Sequence, residues 1–164
     1  MSNLKHGDQL LCKGHSIISK TIMTVTKSEW SHAAIYLEIN GQPYIIEAQK
    51  NGVNLKTFEE WRTNWNYEYI VYRNKFSFDE QEFLLKALSK SGETSYDFHS
   101  FLLRQPWKLL TGKWKDKGKK ENDKMICSEF CAWVWGIPEY WKLTPQDLFV
   151  YLKNSKSWLN ILQD

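Results

Sequence analysis

Trp30-Ser31-His32-Ala33-Ala34-Ile35-Tyr36-Leu37-Glu38-Ile39-Asn40-Gly41-Gln42-Pro43-Tyr44-Ile45-Ile46-Glu47-Ala48 places two apolar runs on either side of an Asn-Gly pair. Asn-Gly is the strongest short-range hairpin signal, because both residues tolerate the positive φ angles of a two-residue type I′ turn. Ala33 to Ile39 and Gln42 to Ala48 therefore read as paired strands. The turn fixes their register, with Ile39 opposite Gln42, Leu37 opposite Tyr44 and Ile35 opposite Ile46 on one apolar face. On the other face Ala34 lies opposite Glu47, and His32 stands two residues along the same strand. Diagonal neighbours of this kind lie about 7–8 Å apart between backbones, a gap that long side chains bridge. A turn one residue longer or shorter would carry Glu47 to the opposite face.

A second stretch supplies a thiol. Met125-Ile126-Cys127-Ser128-Glu129-Phe130-Cys131-Ala132-Trp133-Val134-Trp135-Gly136 follows a lysine-rich loop and reads as an apolar helix with Cys127 at its head. Unpaired N–H groups and the positive end of the dipole stabilise a thiolate at a helix start. The same groups can bind an oxyanion. Taken singly, each residue has a plainer reading: a small buried thiol, a structural histidine, a solvated carboxylate. Their compatible geometry points to a cysteine hydrolase. Cys127 would attack a carbonyl, His32 would exchange the proton and Glu47 would hold the imidazole. The Cys127 N–H is the first oxyanion donor to consider, and sequence does not choose a second.

The remaining pattern fits a single domain over residues 1–164, long enough to bury a core. Gly7-Asp8 turns into a strand at Gln9 to Cys12. Ser16 to Thr26 reads as an amphipathic helix, Phe58 to Trp65 as a short helix and Tyr69 to Arg73 as a strand. Ser77-Phe78-Asp79-Glu80 reads as a capping box opening a helix that stops near Gly92. A further helix is expected from Asp97 to Leu110. Thr144-Pro145-Gln146-Asp147 gives an N-cap with proline at the first helical position, and Trp158 to Leu162 closes the chain as a strand. Helices around a mostly antiparallel sheet make the class α+β.

Composition is ordinary except for its rings: nine Trp, eight Tyr and eight Phe. They read first as core material and, more sharply, as a ring-lined groove for an extended or lipid-like ligand. The net charge of +3 equals the surplus within Lys113 to Lys124, so the rest of the chain is neutral. That loop reads as a solvated run, with contact to an anionic membrane surface as the sharper alternative. No nucleic-acid motif accompanies it. The start Met1-Ser2-Asn3-Leu4 lacks an apolar leader, no run reaches the ~20 apolar residues of a spanning helix, and the three cysteines are an odd number. A cytoplasmic protein with reduced thiols is expected. Cys127 and Cys131 lack a second Cys/His cluster at zinc spacing, so neither a metal nor another cofactor is expected.

The ordered segments resemble the permuted NlpC/P60 branch of papain-like cysteine hydrolases, the YiiX-like proteins in particular, and more distantly the lecithin:retinol acyltransferase group. The likeness rests on Gly7-Asp8 with Leu10-Leu11, Ser31-His32 with Ala34-Ile35-Tyr36, Ile46-Glu47-Ala48, Tyr96-Asp97, Cys127-Ser128-Glu129 and Pro145-Gln146-Asp147-Leu148. The order histidine, carboxylate, cysteine is the permuted one. The resemblance implies a papain-like, circularly permuted NlpC/P60 fold and a peptidase or amidase acting through a thioester acyl-enzyme. In it Cys127, His32 and Glu47 form the triad. Tyr96, Ser31 and Ser128 are expected beside the substrate, which is peptide-like or an acyl lipid. A lipid acyl hydrolase or acyltransferase is the first alternative. A non-catalytic module binding peptidoglycan fragments or lipid is the second.

Overall fold

The computed structural model describes residues 3–64, 67–92 and 125–163. Six strands form one antiparallel sheet in the order β4-β3-β2-β1-β5-β6. They are β1 (Gln9–Gly14), β2 (His32–Ile39), β3 (Gln42–Gln49), β4 (Gly52–Thr57), β5 (Tyr67–Asn74) and β6 (Trp158–Gln163). Among the described residues the helices are α1 (Ile17–Thr26), α2 (Phe58–Asn64), α3 (Glu80–Leu88), α4 (Cys127–Val134) and α5 (Pro145–Asn154), with a 3₁₀ turn at Tyr140–Lys142.

The β2–β3 hairpin has the register that Asn-Gly dictates: Ile35 pairs with Ile46, Leu37 with Tyr44 and Ile39 with Gln42. Asn40 (φ 52°) and Gly41 (φ 74°) are both left-handed, as the turn requires. Its two faces belong to two cores. Ala33, Ile35, Leu37 and Ile46 join Phe83 of α3, Phe130 and Val134 of α4, and Leu148 and Leu152 of α5. Ala34, Tyr36 and Ile45 join Leu10, Tyr69, Val71 and Trp61 of α2. The central strands read as near-continuous apolar runs because they are covered on both sides.

Two segments differ from expectation. The cap of α3 is Asp79 rather than Ser77, because the Asp79 carboxylate accepts from the N–H groups of both Gln81 (3.0 Å) and Glu82 (2.9 Å). An ionised oxygen at that position is a stronger acceptor than a hydroxyl two residues earlier. The helix also ends at Leu88, short of Gly92. Strand β4 was not expected, although Val53-Asn54-Leu55-Lys56 alternates apolar and polar as a half-buried strand should. Among the described rings, Phe78, Phe83, Trp135 and Trp158 pack edge to face or tilted in one cluster. The expected helix at Asp97–Leu110 lies outside the described residues.

Candidate active site

Glu47 sits on the face of β3 that packs toward α2, and none of it is exposed. Burial alone would push its carboxyl up, but its partners outweigh burial and hold it below the ordinary glutamate value. His32 Nε2 lies 2.7 Å from Oε2, and the Trp61 indole N–H donates to the same oxygen at 3.0 Å. Gln49 Nε2 donates to Oε1 at 2.5 Å, and the Lys56 ammonium lies 3.5 Å from that oxygen. His32 begins β2 opposite Cys12 of β1. The diagonal step from His32 to Glu47 is thus closed by a direct hydrogen bond.

Cys127 is the first residue of α4, with Ile126 in extended conformation before it. Glu129 in the first turn reaches back to accept from the Ile126 N–H at 3.1 Å, which fixes where the helix starts. The N–H of Cys127 is one of the groups a helix start leaves without an intrahelical acceptor. Its side chain is buried beside His32, and its sulfur is among the groups that act on the imidazole. At His32 burial works to lower the imidazole value, but the Cys127 sulfur and the Glu47 carboxylate overcome it and raise it to about 10. Around neutral pH such a ring is an imidazolium. Cys12 and Cys131 are different: burial pushes both thiols well up, so they stay protonated.

The structure brings Cys127, His32 and Glu47 together: His32 is hydrogen-bonded to Glu47, and the Cys127 sulfur lies within electrostatic reach of the ring. The serines expected near substrate are engaged elsewhere. Ser31 Oγ accepts from the Gly14 N–H at 2.9 Å, and Ser128 Oγ donates to the Leu143 carbonyl at 2.6 Å. Tyr96 and Lys113 to Lys124 lie outside the described residues. The residues around Glu47 were not singled out from sequence. Gln49, two along the same strand, and Lys56, on the alternating strand β4, carried a usable signal. Trp61 carried none, since its approach is tertiary.

A helix-borne thiol against a strand-borne imidazole, on an antiparallel sheet, is the arrangement of papain-like thiol hydrolases. The chain belongs to the family of permuted papain-like amidases, YaeF/YiiX, C92, whose model matches residues 3–105. The matched span holds His32 and Glu47 and ends before Cys127. Membership makes the protein a cysteine hydrolase of papain type. Over 99% of both chains its fold is similar to the crystal structure of metalloprotein yiiX from Escherichia coli O157:H7, with 18% identity and a TM-score of 0.59. No curated protein matches. Among the described residues no three His, Cys, Asp or Glu side chains are grouped to hold a metal ion. No helix among them is long and apolar enough to cross a membrane.

Proposed function

We propose that the protein cleaves a peptide-like amide, with Cys127 as nucleophile, His32 as general acid and base, and Glu47 as the residue that orients His32. The observation that carries this reading is the hydrogen bond from His32 to a fully buried Glu47, with the Cys127 sulfur beside the same ring. His32 takes the proton that Cys127 gives up, and the helix start supplies positive potential beside the sulfur. The sulfur bonds to the carbonyl carbon, the oxygen takes the negative charge beside the Cys127 N–H, and the C–N bond breaks. The leaving amine takes the proton from His32. Water then adds to the thioester carbon while His32 removes one of its protons. The acid departs and the sulfur recovers its electron pair. The amidase character of the family favours an amide over an acyl lipid as substrate. Three free cysteines fit a reducing compartment such as the cytoplasm.

The test compares peptidyl and acyl-amino-acid amides with long-chain acyl esters as fluorogenic substrates. Cys127→Ser should lower amide turnover at least about a thousandfold while the circular dichroism spectrum stays unchanged. Retained amide turnover would remove Cys127 as nucleophile. Cys127-dependent cleavage of the esters alone would replace the amidase reading with the acyl-lipid one.

A further inference from the structure

We propose that Trp61 and Lys56 are positioning residues for the catalytic carboxylate: Trp61 fixes which oxygen faces His32, and Lys56 supplies the counter-charge at the other oxygen. This rests on the triad proposed above. The two oxygens of Glu47 are divided between two sets of donors. Oε2 receives His32 at 2.7 Å and the Trp61 indole at 3.0 Å. Oε1 receives Gln49 at 2.5 Å and faces Lys56 at 3.5 Å. Lys56 also donates to Gln49 Oε1 at 3.4 Å, so amide and ammonium brace each other.

Charge explains why a lysine belongs there. Once the proton has passed from Cys127 to His32 in the proposed reaction, sulfur, imidazolium and buried carboxylate together carry one net negative charge in a region shut off from water. Such a charge is expensive unless paired. Lys56 makes the run Lys56–Glu47–His32–Cys127 alternate in sign and sum to zero. Its side chain is 29% exposed, so the ammonium keeps part of its hydration while Glu47 has none. Among the described residues, Cys12 on β1 and Cys131 on α4 are further titratable groups within electrostatic reach of Glu47. Burial keeps both protonated, so neither can do the work of Lys56. Trp61 is otherwise a core ring, packed against Phe58 and Tyr69. Its indole N–H is the polar part that aims the carboxylate, since a carboxyl free to rotate would offer His32 either oxygen.

The test is the pH dependence of iodoacetamide alkylation of Cys127 in the full chain, read by peptide mass mapping so that Cys12 and Cys131 do not contribute. Lys56→Met removes the charge at similar length, Lys56→Arg keeps it, and Trp61→Phe keeps the ring without the donor. Wild type should show its alkaline break near the His32 value of about 10. In Lys56→Met the break should rise by about one unit, because the ammonium no longer opposes the charge on the imidazolium; in Trp61→Phe it should fall by about as much, because the freed carboxylate turns away from His32. Lys56→Arg should return the break to the wild-type position. Profiles that superimpose on wild type, while His32→Ala shifts its own, would reduce the two residues to packing. A shift in Lys56→Met that Lys56→Arg does not reverse would remove the charge argument. If His32→Ala leaves the profile unmoved, the triad itself fails and takes this proposal with it.

Discussion

At His32 burial and charge act in opposite directions, and charge prevails. An imidazole taken out of water favours its neutral form, yet the Cys127 sulfur and the Glu47 carboxylate raise it to about 10. This has a consequence for stability. A histidine raised from its ordinary 6.5 contributes stability that is complete below 6.5 and is lost as pH climbs toward 10. Glu47 is lowered, so its contribution is complete above 4.5 and is lost as pH falls through its folded-state value. Thermal melts should therefore be flattest between about pH 5 and 6.5 and fall on both sides. His32→Gln should remove most of the alkaline slope. An unchanged slope would place the titrating group elsewhere.

Among the elements, α5 shows how a helix start serves the site at a distance. Thr144 Oγ1 accepts from the Asp147 N–H at 3.0 Å, Asp147 returns to the Thr144 N–H at 3.1 Å, and Pro145 opens the helix. One residue on, Gln146 Oε1 accepts from Ser28 Oγ at 3.2 Å and from the Glu29 N–H at 3.1 Å. The capped helix thus holds the loop that leads into Trp30-Ser31-His32. Thr144→Ala should cost about 1 kcal/mol in urea unfolding, and Thr144→Ser should recover most of it. The capping pattern was legible because Thr-Pro-x-Asp is read within four residues. At α3 the same reasoning named Ser77 instead of Asp79. Both can cap, and only the folded backbone shows whose side chain faces the free N–H groups.

Over the whole molecule, the Gly7-Asp8 turn ties the amino-terminal segment to β5 and to the ring cluster of Phe78 and Trp135. Asp8 is buried and holds Arg73 of β5 in two hydrogen bonds of 2.8 and 2.7 Å. Gly7 has φ 85°, and a Cβ there would lie 2.7 Å from the Phe78 ring and 3.1 Å from Trp135. Gly7→Ala should therefore cost about 2–4 kcal/mol, from left-handed strain plus overpacking. Gly41→Ala, with φ 74° and nothing within 4 Å, isolates the strain and should cost about 1 kcal/mol. Equal losses in urea unfolding would mean that the ring cluster yields without resistance.

Much of this protein follows from local rules. Asn40-Gly41 dictates a register, and that register puts His32 and Glu47 on one face before any tertiary contact is made. Cys127 comes at a helix start because an apolar segment begins there and Glu129 closes its first turn. Alternation and capping act over two to four residues, so sequence alone determines them. Tertiary structure decided the environment. Glu47 could have been a solvated hairpin carboxylate, but Trp61 brings α2 over the second face of the sheet, and β4 carries Lys56 to its other oxygen. The meeting of Cys127 with His32 depends on α4 packing against the first face. These contacts join segments far apart in the chain, and side-chain periodicity carries no information about which distant surface will cover a given face.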